Sequence, residues 1–127
     1  MAIMTSIALA LMAQGTAGAV PAPEADYDVG YEELVANEND AARKAIESCD
    51  TLAADDPARL INHGIALART GNYDAARDQF EAAAGAGSSV ELETADGRWV
   101  DSRRLARKAL AMLDKGEFAR YYALSLR

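Results

Sequence analysis

Apolar residues recur at helical spacing through the middle of the chain and predict a pair of helices. The first helix begins where Asp56 can cap it and Pro57 fits the first helical position, and it ends at Gly71. The second helix follows Asn72 and ends at Gly85. The apolar positions are Leu60, Ile61, Ile65 and Leu67 in the first helix and Tyr73, Ala76, Phe80 and Ala83 in the second. This pattern predicts a helical hairpin that buries one stripe of each helix.

The same pattern recurs along the chain. The stretch "NENDAARKAIESC" at 37–49 is matched by "GNYDAARDQFEAA" at 71–83, and the step from Asp40 to Asp74 is 34 residues, a period of helical repeats. Asn37 can adopt the left-handed turn conformation that Gly71 adopts one repeat later. Because helix pairs bury their apolar faces by stacking, the period predicts two to three stacked repeats in one all-α domain over 30–127.

An insertion separates the third repeat from the second. The stretch "SSVELETADGRWVDS" alternates on either side of Asp96-Gly97, which predicts a two-stranded β-hairpin at about 89–101. Ser102 is then expected to cap a helix, and a shorter closing helix is expected after Gly116. The apolar residues of these helices are Leu105, Ala109, Leu110 and Leu113, then Phe118, Tyr121, Tyr122 and Leu124.

The helix pair and its repeats resemble the tetratricopeptide repeat family. The matching positions are Leu60, Gly64, Leu67, Gly71, Tyr73, Ala76, Phe80 and Ala83. The resemblance covers about 23–127 and implies antiparallel helix pairs stacked as an α-solenoid. It also implies a non-catalytic protein that binds a peptide or protein on the concave surface lined by the first helix of each pair.

Positions on this concave surface form the predicted binding site. Family members that clamp a peptide carboxylate use an asparagine and two basic residues, and the repeat register puts Asn62, Arg103 and Arg107 at these positions. In the first repeat, Tyr27 and Tyr31 replace the lysine and asparagine of the clamp. The whole predicted set is Ile61, Asn62, Ile65, Arg69, Arg103, Arg107 and Leu110. Its polar members would receive an acidic or C-terminal segment, and its apolar members would contact apolar side chains of that segment.

Charge divides the chain into an acidic front and a basic end. The formal net charge is −7, whereas residues 98–127 carry eight Arg and Lys against three Asp and Glu. The net negative charge argues against nonspecific binding to nucleic acid or to an anionic membrane. The basic end could meet an acidic partner, or it could be a solvated helix paired with the acidic front.

The first residues predict export. Residues 1–19 contain no charge, include an apolar run and end in Ala17-Gly18-Ala19, which is typical of a signal peptide cleaved after Ala19. The apolar run is shorter than a membrane-spanning helix, so we expect no stable membrane insertion after cleavage. Residues 20–29 are predicted to be a flexible linker. The mature protein would then be periplasmic or secreted.

Few residues could take part in catalysis or metal binding. Cys49 and His63 are the single cysteine and histidine, which excludes an internal disulfide and the usual zinc clusters. We expect Cys49 to be a buried structural residue and His63 to be at least half-buried inside its helix. Trp99, beside the hairpin turn, would either anchor the hairpin on a helix or stack on a ligand. The sequence therefore predicts no enzyme, no metal and no cofactor.

The leading hypothesis is an adaptor of the bacterial envelope, monomeric or weakly dimeric, that binds a protein or peptide partner. The alternative is a structural or assembly factor that dimerises through the hairpin and has no free peptide groove. A hydrolase with an unrecognised site is the third hypothesis.

Overall fold

A computed structural model of the chain describes residues 30–119. The predicted signal peptide, the linker at 20–29 with Tyr27, and residues 120–127 with Tyr121, Tyr122 and Leu124 lie outside the described residues. The described part is mostly helical and contains a small two-stranded antiparallel sheet, as the sequence predicts. Its elements are α1 Tyr31–Val35, α2 Asn39–Glu47, α3 Pro57–Arg69, α4 Tyr73–Ala84, β1 Glu91–Glu93, β2 Trp99–Asp101 and α5 Ser102–Asp114. No helix among residues 30–119 is both long and apolar enough to cross a membrane.

Local signals set the bounds of α3 as predicted. The Asp56 carboxylate accepts a hydrogen bond from the Arg59 backbone N–H at 3.0 Å, and Pro57 is the first helical residue. Beyond the helix, Gly71 has φ 85°, a left-handed conformation that ends the helix. The chain then enters α4 at Tyr73.

A close approach of α3 to α4 forms the centre of the core. Gly64 faces Phe80, and a Cβ atom added at Gly64 would lie 2.4 Å from Phe80 Cε1. Ala76 and Ala83 are buried on the same side of α4 as Phe80. Small residues at these positions therefore let the two helices pack around one large aromatic ring.

The pair α1 and α2 packs on α3. Asn37 joins the two helices with φ 61°, which confirms the predicted left-handed turn, and Ala42 and Ile46 on α2 are fully buried. The expectation that Cys49 is buried is wrong. Because α2 ends at Glu47, Cys49 lies in the following loop, half-buried, with its Sγ 3.4 Å from Thr51 Oγ1.

The hairpin lies where the alternation predicts it. Glu91 pairs with Asp101, Leu92 with Val100 and Glu93 with Trp99. Gly97 has φ 84° in the turn. Leu92 is buried, so the hairpin is attached to the core through the face that carries Leu92.

The cap of α5 differs from the prediction by one residue. Asp101 is the cap, and its carboxylate accepts from the Arg104 backbone N–H at 3.1 Å. Ser102 is buried as the first helical residue, and its Oγ accepts from the Val90 backbone N–H at 3.1 Å. The hydroxyl is committed to the start of the hairpin, so the neighbouring carboxylate caps the helix.

After α5, the chain returns to the core. Gly116 has φ 69° and turns the chain so that the fully buried Phe118 stacks on Phe80, with ring centroids 6.1 Å apart. Two aromatic rings thus connect the last described segment to the α3–α4 pair.

Candidate peptide-binding site

The α3 residues of the predicted site lie in the interior. Ile61 and Ile65 are fully buried in the core, and the Asn62 side chain is also fully buried. In this structure they do not line an open groove, which corrects the expectation of an accessible surface on α3. Helical spacing places them on one face, but packing closes that face.

Arg69 is buried and holds two parts of the fold together. Its side chain is 2% exposed, and its Nη1 donates to the Leu34 carbonyl oxygen at 2.9 Å and to Asn39 Oδ1 at 3.2 Å. These bonds connect the end of α3 to α1 and α2. The guanidinium is therefore engaged within the protein, which contradicts the prediction that Arg69 receives a partner segment.

The α5 members of the predicted site are more accessible. Arg103 is half-buried, and its Nη2 donates to the Gly87 carbonyl oxygen at 3.2 Å, which holds the loop before the hairpin. Leu110 is half-buried against the core, and Arg107 is exposed. Of the seven predicted residues, Arg107 alone is both charged and exposed.

A different surface is open to a partner. A depression of about 590 Å³ lies between β2 and the first turns of α5. Here it is called the hairpin cleft. It is lined by Glu91, Arg98, Trp99, Val100, Asp101, Arg104, Leu105 and Lys108.

Trp99 is the most prominent apolar group of the hairpin cleft. It is 44% exposed, whereas Leu92 on the opposite face of the hairpin is 1% exposed. Leu92, and not Trp99, therefore anchors the hairpin. The alternation already contained this signal, because Trp99 shares a strand face with Asp101, and Val100 lies on the other face with Leu92.

Cations dominate the free charge of the hairpin cleft. Arg104 and Lys108 lie one helical turn apart on the exposed side of α5, and neither forms an ion pair with another described residue. The Arg98 Nε donates to Asp96 Oδ2 at 2.9 Å, but its side chain remains 65% exposed. These three cations line the same cleft as Trp99, together with the carboxylates of Glu91 and Asp101.

The acidic residues of the hairpin are partly committed to internal bonds. The Ser89 hydroxyl, followed by the backbone N–H groups of Arg104 and Arg103, lowers the pKa of Asp101. The Thr94 hydroxyl lowers the pKa of Asp96 in the turn. Both carboxylates are therefore charged at neutral pH and occupied by donors of the protein itself. Arg104 and Lys108, by contrast, form no ion pair with a described residue, so their charges can interact with a partner.

The candidate chemical residues do not converge on a reactive centre in the described part of the chain. His63 Nδ1 lies 3.2 Å from Gln79 Oε1, and its Nε2 lies 3.7 Å from Glu47 Oε2, so His63 joins α2, α3 and α4. Hydrogen bonds, first from Thr51, lower the pKa of Cys49. Within residues 30–119, no group of three or more His, Cys, Asp and Glu side chains could hold a metal ion.

Comparison of the chain with protein-family models, curated proteins and solved structures gives no match.

Proposed function

We propose that the protein is a non-catalytic adaptor that binds an acidic segment of a protein or peptide partner in the hairpin cleft. The observation that carries this proposal is the exposed Trp99 in a cleft lined by three cations, Arg98, Arg104 and Lys108, against two carboxylates, Glu91 and Asp101. Tryptophan and arginine are the residues that most often dominate binding energy at protein interfaces. The cationic side chains match carboxylates of the partner, and the Trp99 ring offers apolar contact area beside them.

A tetratricopeptide-like repeat arrangement is part of the same proposal. Asn37, Gly71 and Gly116 precede the second segment of each proposed pair, and all three have positive φ values of 61°, 85° and 69°. Equivalent turns at equivalent positions support α1–α2, α3–α4 and α5 with the Phe118 segment as successive repeats. The hairpin is then an insertion between repeats that supplies a binding surface.

The partner would be met in the bacterial envelope. The uncharged residues 1–19 support export, with cleavage after Ala19 and a periplasmic or secreted mature protein. The overall charge of −7 would disfavour most acidic partners at long range, so recognition depends on the local cations of the hairpin cleft.

A titration tests the proposal. The probe is a capped peptide of about eight residues that alternates Glu and Val, since strands of this length are common. Trp99 is the only tryptophan, so its fluorescence reports on the hairpin cleft directly. The same sequence with Lys in place of Glu is the peptide control. We expect the acidic peptide to bind and the basic peptide not to bind.

Charge reversal on the protein locates the binding. Arg104→Glu with Lys108→Glu is expected to weaken binding about thirtyfold, because two rim pairs each change by about 1 kcal/mol. The matched control is Lys44→Glu with Lys115→Glu, which changes the same total charge at two exposed lysines outside the hairpin cleft. Equal weakening in both double variants, or no binding by the wild type, contradicts the proposal.

Arg107→Glu distinguishes binding in the hairpin cleft from binding on the face of α5 that the sequence predicts. Arg107 is exposed but does not line the hairpin cleft. We expect the affinity of the Arg107→Glu variant for the acidic peptide to stay within about twofold of the wild-type affinity, as for other exposed positions outside an interface. If Arg107→Glu loses more affinity for the acidic peptide than the Arg104→Glu, Lys108→Glu double variant, the binding site is the predicted face of α5 and not the hairpin cleft.

A further inference from the structure

We infer that the acidic segment binds as an added β-strand along the outer edge of β2. This inference rests on the proposed function and specifies how the partner is held. The hydrogen bonds of the hairpin establish which backbone groups face outward. The Ser102 N–H donates to the Val90 carbonyl oxygen at 2.9 Å, and the Thr94 N–H donates to the Arg98 carbonyl oxygen at 2.8 Å.

These two bonds define the alternation of the ladder. In an antiparallel pair, hydrogen-bonded positions alternate with positions whose backbone groups point away from the partner strand. With the observed register, Leu92 and Val100 form a hydrogen-bonded pair, and Glu93 and Trp99 form a pair of the other kind. The N–H and C=O of Trp99 therefore point outward from the edge of β2, where another strand can bond to them.

The hairpin cleft follows this edge. The hairpin side of the cleft is lined by four consecutive residues, 98–101, and by Glu91 of β1, and α5 lines the other side with Arg104, Leu105 and Lys108. A segment lying along β2 would thus be held between a strand edge and a helix. β2 has three residues and spans about 10 Å at about 3.3 Å per residue, so only a similarly short part of the partner segment pairs with it.

Charge distinguishes the two edges of the hairpin. β1 carries Glu91 and Glu93, which repel an acidic strand, whereas β2 follows Arg98 and lies beside Arg104 and Lys108. Glu91 also lines the hairpin cleft, where these three cations outnumber it. Apolar surface from Val100 and Leu105 lies in the same cleft. Since strand residues alternate between two faces, a segment that alternates acidic and apolar residues fits both surfaces.

Backbone methylation of the peptide tests strand addition. Two versions of the acidic peptide carry N-methyl groups on every Glu or on every Val. A strand on one edge uses the N–H groups of alternate residues only, so one version should lose about tenfold in affinity and the other less than about threefold. The methyl groups leave the side chains and the net charge unchanged.

Hydrogen exchange of the protein gives a second readout. Addition of the unmethylated peptide should slow exchange of the Trp99 amide, which points outward. The Val100 amide, already directed at Leu92, serves as the internal reference and should change less.

The outcomes separate the two proposals. If the parent peptide binds but both methylated versions bind equally well, strand addition is wrong and side chains alone hold the segment. If the parent peptide does not bind, the proposed function fails. If the Trp99 amide is protected without peptide and more strongly at higher protein concentration, the edge pairs with a second copy of the chain and the inference is overturned.

Discussion

Gly64 shows how one residue controls the core. A Cβ atom at this position would lie 2.4 Å from Phe80 Cε1 and 2.7 Å from Phe80 Cδ1, and both residues are buried. Alanine favours helix over glycine by about 1 kcal/mol, but the contact with a packed ring costs more. We predict that Gly64→Ala lowers the free energy of unfolding by about 1–3 kcal/mol, measured by urea denaturation.

Gly87→Ala is the matched control for this prediction. Apart from Gly87 and its two chain neighbours, no described residue lies within 4 Å of a Cβ added at Gly87, which is exposed in the loop before the hairpin. We expect the free energy of unfolding to change by less than about 0.5 kcal/mol. If Gly64→Ala were as stable as Gly87→Ala, the helices would not be as closely packed as the structure shows.

At the scale of elements, Asp101 connects the end of β2 to the start of α5. Its carboxylate caps the helix through the Arg104 N–H, and its pKa is lowered, first by the Ser89 hydroxyl. A lowered pKa in the folded state means that the charged form stabilises the fold. That contribution is present above the usual aspartate pKa and is lost as the pH falls through the lowered value.

We predict that Asp101→Ala lowers the free energy of unfolding by about 1 kcal/mol at pH 7. The difference from the wild type should shrink as the pH falls below the usual aspartate pKa of about 4 and through the lowered pKa of folded Asp101. Urea denaturation of the wild type and the variant at pH 7 and at one acid pH below this lowered pKa measures the difference in the free energy of unfolding. Asp101→Asn retains a capping oxygen without the charge and should lose less than alanine at pH 7. A loss for alanine that is the same at both pH values would contradict the assigned role of the charge.

Elements whose signals are local could be predicted from the sequence. Asp56 and Pro57 begin α3, Gly71 ends it, and Asp96-Gly97 turns the hairpin, because caps and turns depend on residues a few positions apart. The sequence predicts Ser102 as the cap of α5, one residue from the actual cap Asp101, because spacing does not reveal that the Ser102 Oγ accepts from the Val90 N–H.

The candidate site was less predictable, because burial depends on contacts between distant segments. Arg69 was expected on a binding surface, yet it donates to Leu34, which lies 35 residues earlier in the chain. Trp99, Arg104 and Lys108 meet only once β2 lies against α5. The charge asymmetry of the sequence did point to this end of the molecule, but it could not select Arg104 and Lys108 over Arg103 and Arg107.

At the scale of the whole molecule, charge opposes a symmetric dimer through the hairpin. A two-fold dimer uses the same surface on both copies. Pairing of two β1 edges would bring together Glu91 and Glu93 of both copies, and pairing of two β2 edges would bring together Arg98, Arg104 and Lys108 of both. Like charges directly opposite each other destabilise strand pairs. The alternative function, an assembly factor that dimerises through the hairpin, requires this repulsion to be overcome by Trp99.

We therefore predict a monomer. Sedimentation equilibrium of residues 20–127 from about 5 to about 500 μM, near physiological ionic strength, should give the monomer mass throughout. Trp99→Ala should give the same mass. If the mass doubles with concentration in the wild type and not in Trp99→Ala, the hairpin forms a dimer and the assembly-factor function replaces the adaptor.

Head-to-tail pairing of an acidic β1 edge with a basic β2 edge would not form a closed dimer. It would produce species larger than a dimer that dissociate at high salt, and this result too would contradict the monomer.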